Sequence, residues 1–214
     1  MTKFLDCPAE RWTALLLAGG QSKRMGTDKR HLVPKALNGR SLMEHSADLL
    51  AALCGHLRIL VSCDTEADLP PAFIPIVDRL PGQGPLPAIN DGLRELQTPF
   101  ALILPVDMPC LEKSRLRAWM QSFEAMVDRH AQFSLDENQR PTFPLLLRKE
   151  FRTSLAVELE GGQVRLFQGL RAAGAVALAP DRQGAEGCSL NPFLNLNRPA
   201  DLERLESDIS SSQP

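Results

Sequence analysis

Apolar residues along the chain gather in short runs, and the stretches between many of those runs carry apolar positions at helical spacing. Thr13 to Leu17 (TALLL) is a continuous run of strand length, the pattern of a parallel strand covered on both faces. Ser41-Leu-Met-Glu44 reads as a capping box that opens a helix: the Ser41 hydroxyl accepts from the Glu44 amide, and Glu44 reaches back. The stripe Leu42, His45, Ala47, Leu49, Leu50 and Leu53 follows, and Gly55 stops it. Arg58 to Cys63 (RILVSC) predicts a second strand. Phe73 to Val77 (FIPIV) predicts a short third, near a sheet edge because it carries Pro75. After the loop DRLPGQGPLP, a helix is expected from about Ala88 to Leu96.

Phe100 to Val106 (FALILPV) is the most hydrophobic run and predicts a central strand. A helix is expected from about Lys113 to Arg129, a strand over Phe143 to Leu147 and a helix near Phe151 to Leu159. Val164 to Ala173 reads as helix, and Ala175 to Leu178 and Phe193 to Leu196 as short strands. Pro199 opens a final helix, since proline is accepted at the first helical position. Strands alternating with helices predict an α/β fold: one doubly wound, Rossmann-like domain over residues 1–207 with a mostly parallel central sheet. Residues 208–214 are expected to form a frayed tail. Such sheets bind ligands at the carboxyl ends of their strands, where the strand order reverses.

Composition narrows the function classes. The chain has 214 residues, a formal net charge of −2 and 43% hydrophobic residues. A domain of this size buries roughly 70% of its unfolded surface. Near-neutral charge argues against nucleic acid as partner, so any cationic site must be a local concentration. No apolar run approaches the roughly 20 residues of a membrane span, and MTKFLDCPAERWT lacks a signal-peptide core. Cys7, Cys54, Cys63, Cys110 and Cys188 show no C-x-x-C spacing and read as reduced thiols of a cytoplasmic protein. His31, His45, His56 and His130 show no ligand spacing, and His45 reads as structural. Trp12 and Trp119 read as packing residues, and Arg165 and Arg171 as helical surface arginines.

One local concentration of charge stands out. The first strand runs into LLLAGGQSKRMGTDKR, where Gly19 and Gly20 are followed by Lys23, Arg24, Lys29 and Arg30. Glycines let backbone approach a ligand without an intervening Cβ, and successive amides in such a turn form a nest for anions. Arg24 brings a fork and Lys29 a point charge for phosphate oxygens. The loop has neither G-x-x-x-x-G-K-[ST] nor G-x-G-x-x-G, so neither common phosphate loop accounts for it.

The stretch from Leu17 to Lys29, L-A-G-G-x-S-x-R-M-G-x-D-K, resembles the signature of nucleotidyltransferases of the molybdenum cofactor guanylyltransferase type. Further matches follow in order: Asp78 before Gly84-Pro85-Leu86, Val106-Asp107-Met108-Pro109 after a central strand, Arg140-Pro141-Thr142 before FPLLL, and FLNLNRPADL over 193–202. The resemblance covers about residues 13 to 205. It implies the nucleotide-diphospho-sugar transferase type of fold. It also implies an Mg²⁺-dependent reaction that joins GMP from GTP to the phosphate of molybdopterin and releases pyrophosphate.

Residue by residue, the resemblance assigns nucleotide contacts to Leu17, Ala18, Gly19, Gly20, Lys29, Ser62, Asp78, Gly84 and Asp107. It gives Arg24, Lys29 and Asp107 catalytic work, Asp107 the metal, and Asn195 and Asn197 the second substrate. Asp107 also reads as a plain strand-end turn, Asp78 as a turn former, and Asn195 and Asn197 as an Asx turn before the last helix. Expected partners are GTP, molybdopterin, and the proteins that insert molybdenum or act as molybdoenzyme chaperones.

Three departures mark this chain. Ala88 stands where the family's G-P-L-A-G has its last glycine. The loop after Asp28-Lys29 is longer and contains Pro34-Lys35, which makes Lys35 a rival to Lys29. Arg198 replaces the usual threonine of the closing motif. The competing readings are transfer of another nucleotide, such as CMP to molybdopterin or a nucleotidyl group to a phosphosugar, and a nucleotide-binding homologue without catalysis. A nicotinamide dehydrogenase is disfavoured by the missing G-x-G-x-x-G.

Overall fold

The computed structural model describes residues 9–19, 28–61, 69–80, 82–178 and 191–210. Seven strands form one sheet in the order β3-β2-β1-β4-β6-β5-β7. They are β1 (Trp12–Leu17), β2 (His56–Val61), β3 (Ile74–Val77), β4 (Phe100–Pro105), β5 (Ala131–Leu135), β6 (Pro141–Arg148) and β7 (Val176–Ala177). Every pairing is parallel except those of β6, which runs antiparallel to both β4 and β5. The helices are α1 (Leu42–Ala51), α2 (Pro85–Arg94), α3 (Lys113–Ala125), α4 (Phe151–Glu160), α5 (Leu166–Ala172) and α6 (Pro199–Ser210).

The continuous apolar runs of β1 and β4 follow from two buried faces. Trp12, Ala14 and Leu16 join Phe100, Leu102 and Leu104 in a core beneath α1 and α3. Leu15 joins Ala101 and Ile103 in a second core, beneath α2, α4 and α5. Alternate residues of one strand thus feed opposite cores, so no polar alternation shows. The edge strand β3 is short, carries Pro75 and leaves Ile74 and Val77 exposed. On the second face Gly92 of α2 meets the sheet so closely that a Cβ there would lie 2.9 Å from Leu15 Cδ1.

Several element boundaries differ from the sequence reading. Helix α2 begins at Pro85 rather than near Ala88, with Pro85 as its first residue and Gly84 as its N-cap. Helix α3 stops at Ala125, where Arg148 Nη2 donates to the carbonyls of Glu124 and Met126. Strand β5 was not expected: its Gln132 and Ser134 are buried, so AQFSL lacks the run of apolar residues that marks its neighbours. The segment Phe193 to Leu196 was expected as a strand and is irregular. Leu196 N donates to Asp107 O beyond the end of β4, at 2.9 Å, rather than to a strand in a ladder. Its Leu194 and Leu196 are buried in a third cluster with Leu37, Leu42, Cys110 and Leu205. Cys54 and Cys110 are buried, while Cys7, Cys63 and Cys188 lie outside the described residues. Helix α6 runs to Ser210, and residues 211–214 of the expected tail lie outside the described residues.

Candidate functional site

The strand order reverses between β1 and β4: the chain moves from β1 outward through β2 to β3, then returns to lay β4 on the other side of β1. A crevice at the carboxyl ends of these two strands is the expected ligand position in such a sheet. The backbone continues the pairing just past the strands. Ala18 N donates to Leu60 O at 3.0 Å, and Val106 N to Leu17 O at 3.3 Å. Gly19 follows, exposed, while Gly20 and Arg24 lie outside the described residues, as does Ser62 after β2.

Three segments far apart in sequence meet at this point. Lys29 sits in a short 3₁₀ turn, Lys29–His31, whose N-cap Asp28 accepts from Arg30 N at 3.0 Å. The Arg30 guanidinium also forks onto the Asp28 carboxylate, which holds that carboxyl below its ordinary range. Lys29 turns inward. Its Nζ donates to Asp107 Oδ2 at 2.9 Å and to Asn197 Oδ1 at 2.6 Å. Asn197 Nδ2 in turn donates to Asn195 Oδ1 at 2.7 Å. The lysine and aspartate side chains are only 14% and 15% exposed.

Asn195 and Asn197 reach this position because Leu194, just before Asn195, and Leu196, between the two asparagines, are buried. Asp201, in the first turn of α6, fixes the end of the segment by accepting from the backbone amides of Asn197 and Arg198 at 2.8 and 2.7 Å. The bond from the Arg198 amide is the reach-back half of a capping box. Phe193 is anchored by stacking on Trp119 at 6.0 Å.

Electrostatics at Asp107 are divided. Burial pushes its carboxyl above the ordinary carboxylate range, and the Lys29 ammonium pulls it back only in part. Its Oδ1 is buried without a hydrogen-bond partner among the described residues. A buried carboxylate oxygen with no donor, beside a lysine, is a place for a hard cation or for a proton. No group of three or more His, Cys, Asp or Glu side chains is gathered to hold a metal among the described residues. A cation at Asp107 would therefore take its remaining ligands from a bound substrate or water, as Mg²⁺ commonly does.

The remaining expected residues sit on other elements. Asp78 follows the edge strand; its amide donates to Val61 O at 2.8 Å and its Oδ1 accepts from Leu80 N at 2.9 Å, an Asx turn. Gly84 caps α2 with φ +84° and ψ −178°, a conformation open essentially to glycine alone. Ala88, within α2, is buried. Lys35 is exposed in a separate 3₁₀ turn, and its backbone amide donates to Glu206 Oε1 at 3.5 Å. No helix among the described residues is long and apolar enough to cross a membrane.

Comparison with known proteins agrees with this architecture. Residues 14–182 match the family model of the MobA-like NTP transferase domain. A protein of Chloroflexus aggregans named probable molybdenum cofactor guanylyltransferase is 30% identical, over 94% of this chain and 96% of its own. A molybdenum cofactor guanylyltransferase of a Shewanella sp. is 28% identical, over 93% of this chain and 97% of its own. Among solved structures, molybdopterin-guanine dinucleotide biosynthesis protein A from Archaeoglobus fulgidus superposes with a TM-score of 0.73 at 19% identity. It covers 93% of this chain and 99% of its own, and it bears on the fold alone. A nucleotidyltransferase fold, a matching family model over most of the chain and relatives matched almost end to end place this chain in the MobA-like NTP transferase family.

Proposed function

We propose that this chain is a molybdenum cofactor guanylyltransferase, transferring GMP from GTP to the phosphate of molybdopterin. One observation carries the reading: the hydrogen-bonded chain Asn197–Lys29–Asp107 at the strand-order reversal, in a member of this family. A phosphate oxygen of the second substrate attacks the α-phosphorus of GTP. The new P–O bond forms as the bond to the β-phosphate oxygen breaks, and pyrophosphate leaves with the electron pair. No covalent enzyme intermediate is needed, so the protein's work is alignment and neutralisation of charge.

Lys29, together with Arg24, holds the triphosphate and steadies the departing pyrophosphate. Backbone around Leu17, Ala18, Gly19 and Gly20 cradles the phosphates, and Ser62, Asp78 and Gly84 face the nucleoside. Asn195 and Asn197 present amides to the pterin substrate. Asp107 would hold Mg²⁺, and its Oδ1, without a partner among the described residues, suits that ion. When bound, the ion supplies a Lewis acid that draws charge from phosphate oxygens.

The test begins with thermal shift against GTP, CTP, ATP and UTP, each with and without Mg²⁺. It continues with α-labelled nucleotide and molybdopterin. A shift with GTP alone, and one pyrophosphate released per dinucleotide formed, is expected. A selective response to CTP would keep the chemistry and change the product. No response to any nucleotide would overturn the reading.

A further inference from the structure

Helix α1 holds the turn that carries Asp107 by two side-chain bonds. Ser46 Oγ donates to Val106 O at 3.3 Å. His45 Nε2 lies 3.1 Å from Pro109 O. A carbonyl only accepts, so Nε2 carries the proton and Nδ1 is the unprotonated nitrogen. That Nδ1 is buried without a partner among the described residues. Leu196 N takes the carbonyl between these two, Asp107 O. The carbonyls of residues 106, 107 and 109 are therefore each engaged by a segment remote in sequence, and Asp107 sits between the two that α1 holds.

The same helix is fixed at the other end of the site. Leu42 N donates to Leu32 O at 2.9 Å, which ties the first residue of α1 to the cap of the Lys29 turn. The Ser41–Glu44 capping box, complete in both directions, locks this start of the helix. One rigid element thus sets the backbone from which both Lys29 and Asp107 project.

We propose that His45 is a positioning residue for Asp107: its bond to Pro109 O orients the turn so that the carboxylate meets a bound metal. This rests on the reading above that Asp107 holds the ion. Donors that orient a metal ligand from outside its coordination sphere commonly affect metal affinity by about 10–100-fold.

The test compares GTP affinity by calorimetry in Mg²⁺ and in EDTA, for the full chain and its variants. The ratio of the two affinities isolates the metal's contribution from folding and from nucleotide contacts. His45→Leu keeps bulk and removes the donor; it is expected to cut the ratio about tenfold and to leave the affinity in EDTA unchanged. His45→Gln restores an N–H donor near the same place and is expected to recover most of the ratio. An unchanged ratio in His45→Leu, with the ratio lost in Asp107→Asn, overturns the inference and spares the reading of the site. An unchanged ratio in Asp107→Asn, or no Mg²⁺ effect in the unaltered chain, overturns both. If His45→Leu fails to fold, His45→Asn decides against His45→Gln. The shorter amide cannot span the gap, so equal ratios in the two would overturn the inference.

Discussion

Strands β1 and β4 run side by side, and their two ends are furnished differently. At the amino ends Trp12 stacks on Phe100 at 4.9 Å, and Phe123 closes the cluster edge-on to Phe100 at 6.2 Å. Arg11 and Arg148 lie over the Phe100 ring, both at 4.9 Å from its centre. The polar atoms there are well served: Trp12 Nε1 donates to Glu124 Oε1 at 2.6 Å, and Arg148 donates to three backbone carbonyls. At the carboxyl ends a lysine and an aspartate are pressed together, the carboxyl is shifted upward, and one of its oxygens has no donor among the described residues. One end is organised for cohesion. The other is held in a state that something absent from the chain itself would satisfy, and such local discord is what functional sites show.

Variants at the two ends are expected to behave differently. Phe100→Ala at the cohesive end is expected to cost about 3–5 kcal/mol. That lowers the melting midpoint by roughly 6–20 °C for a chain of this length. Below that midpoint the affinity for GTP should hold. A large loss of affinity in folded Phe100→Ala would mean that the two ends are coupled.

Asp107→Asn is expected to do the reverse, reducing kcat by roughly 10²–10³-fold without lowering the midpoint. The sign follows from the raised carboxyl: the folded state prefers the protonated form, so this group favours folding at low pH, and that stability is lost as pH rises through its raised pKa. An amide does not ionise and is spared that loss. A midpoint several degrees lower, measured at pH 7.5, would show the ion pair with Lys29 to be a net support.

Lys29→Ala should lower kcat by about 100-fold, whereas Lys35→Ala, at an exposed backbone turn, should change it by less than about threefold. Steady-state rates of the pair rank the two lysines, and the reverse order would remove Lys29 from its role.

The smallest effect concerns acid stability. Burial lowers the His45 imidazole below its ordinary value of 6.5, helped by Arg40 and opposed by the Pro109 carbonyl and Asp48. The unfolded chain therefore takes up a proton first, and stability contributed by the neutral ring fades as pH falls below 6.5. His45→Gln should flatten that part of the pH–midpoint curve, and parallel curves for the two proteins would count against it.

Legibility in the sequence divides along a different line. Local devices could be read: the Ser41–Glu44 capping box, the apolar runs of β1 and β4, and the edge position of the Pro75 strand each depend on a few adjacent residues. Strand β5 could not, because Gln132 and Ser134 enter the interior and erase its pattern. The segment 193–196 misled in the other direction: its apolar residues fill a small cluster outside the sheet rather than a ladder. For the site, the resemblance supplied the candidate residues, and the fold brings Lys29, Asp107, Asn195 and Asn197 within hydrogen-bonding reach of one another. The grip of α1 on the Asp107 turn had no signature in the sequence. It joins residues 45 and 109, 64 positions apart, through a backbone carbonyl that no residue type announces.

The bond between Lys29 and Asn197 spans 168 positions. On a ribosome, β1 and the Lys29 turn emerge long before their last partner is made. The parallel strands can pair and cover their aromatic end while the amide that completes the polar chain is still missing. A polypeptide cut short before residue 194 would lack the Asn195–Asn197 side of the crevice and would uncover Leu37, Leu42 and Cys110, which Leu194, Leu196 and Leu205 cover. In this architecture the last segment to be synthesised closes both the polar chain of the site and the apolar cluster around Leu205.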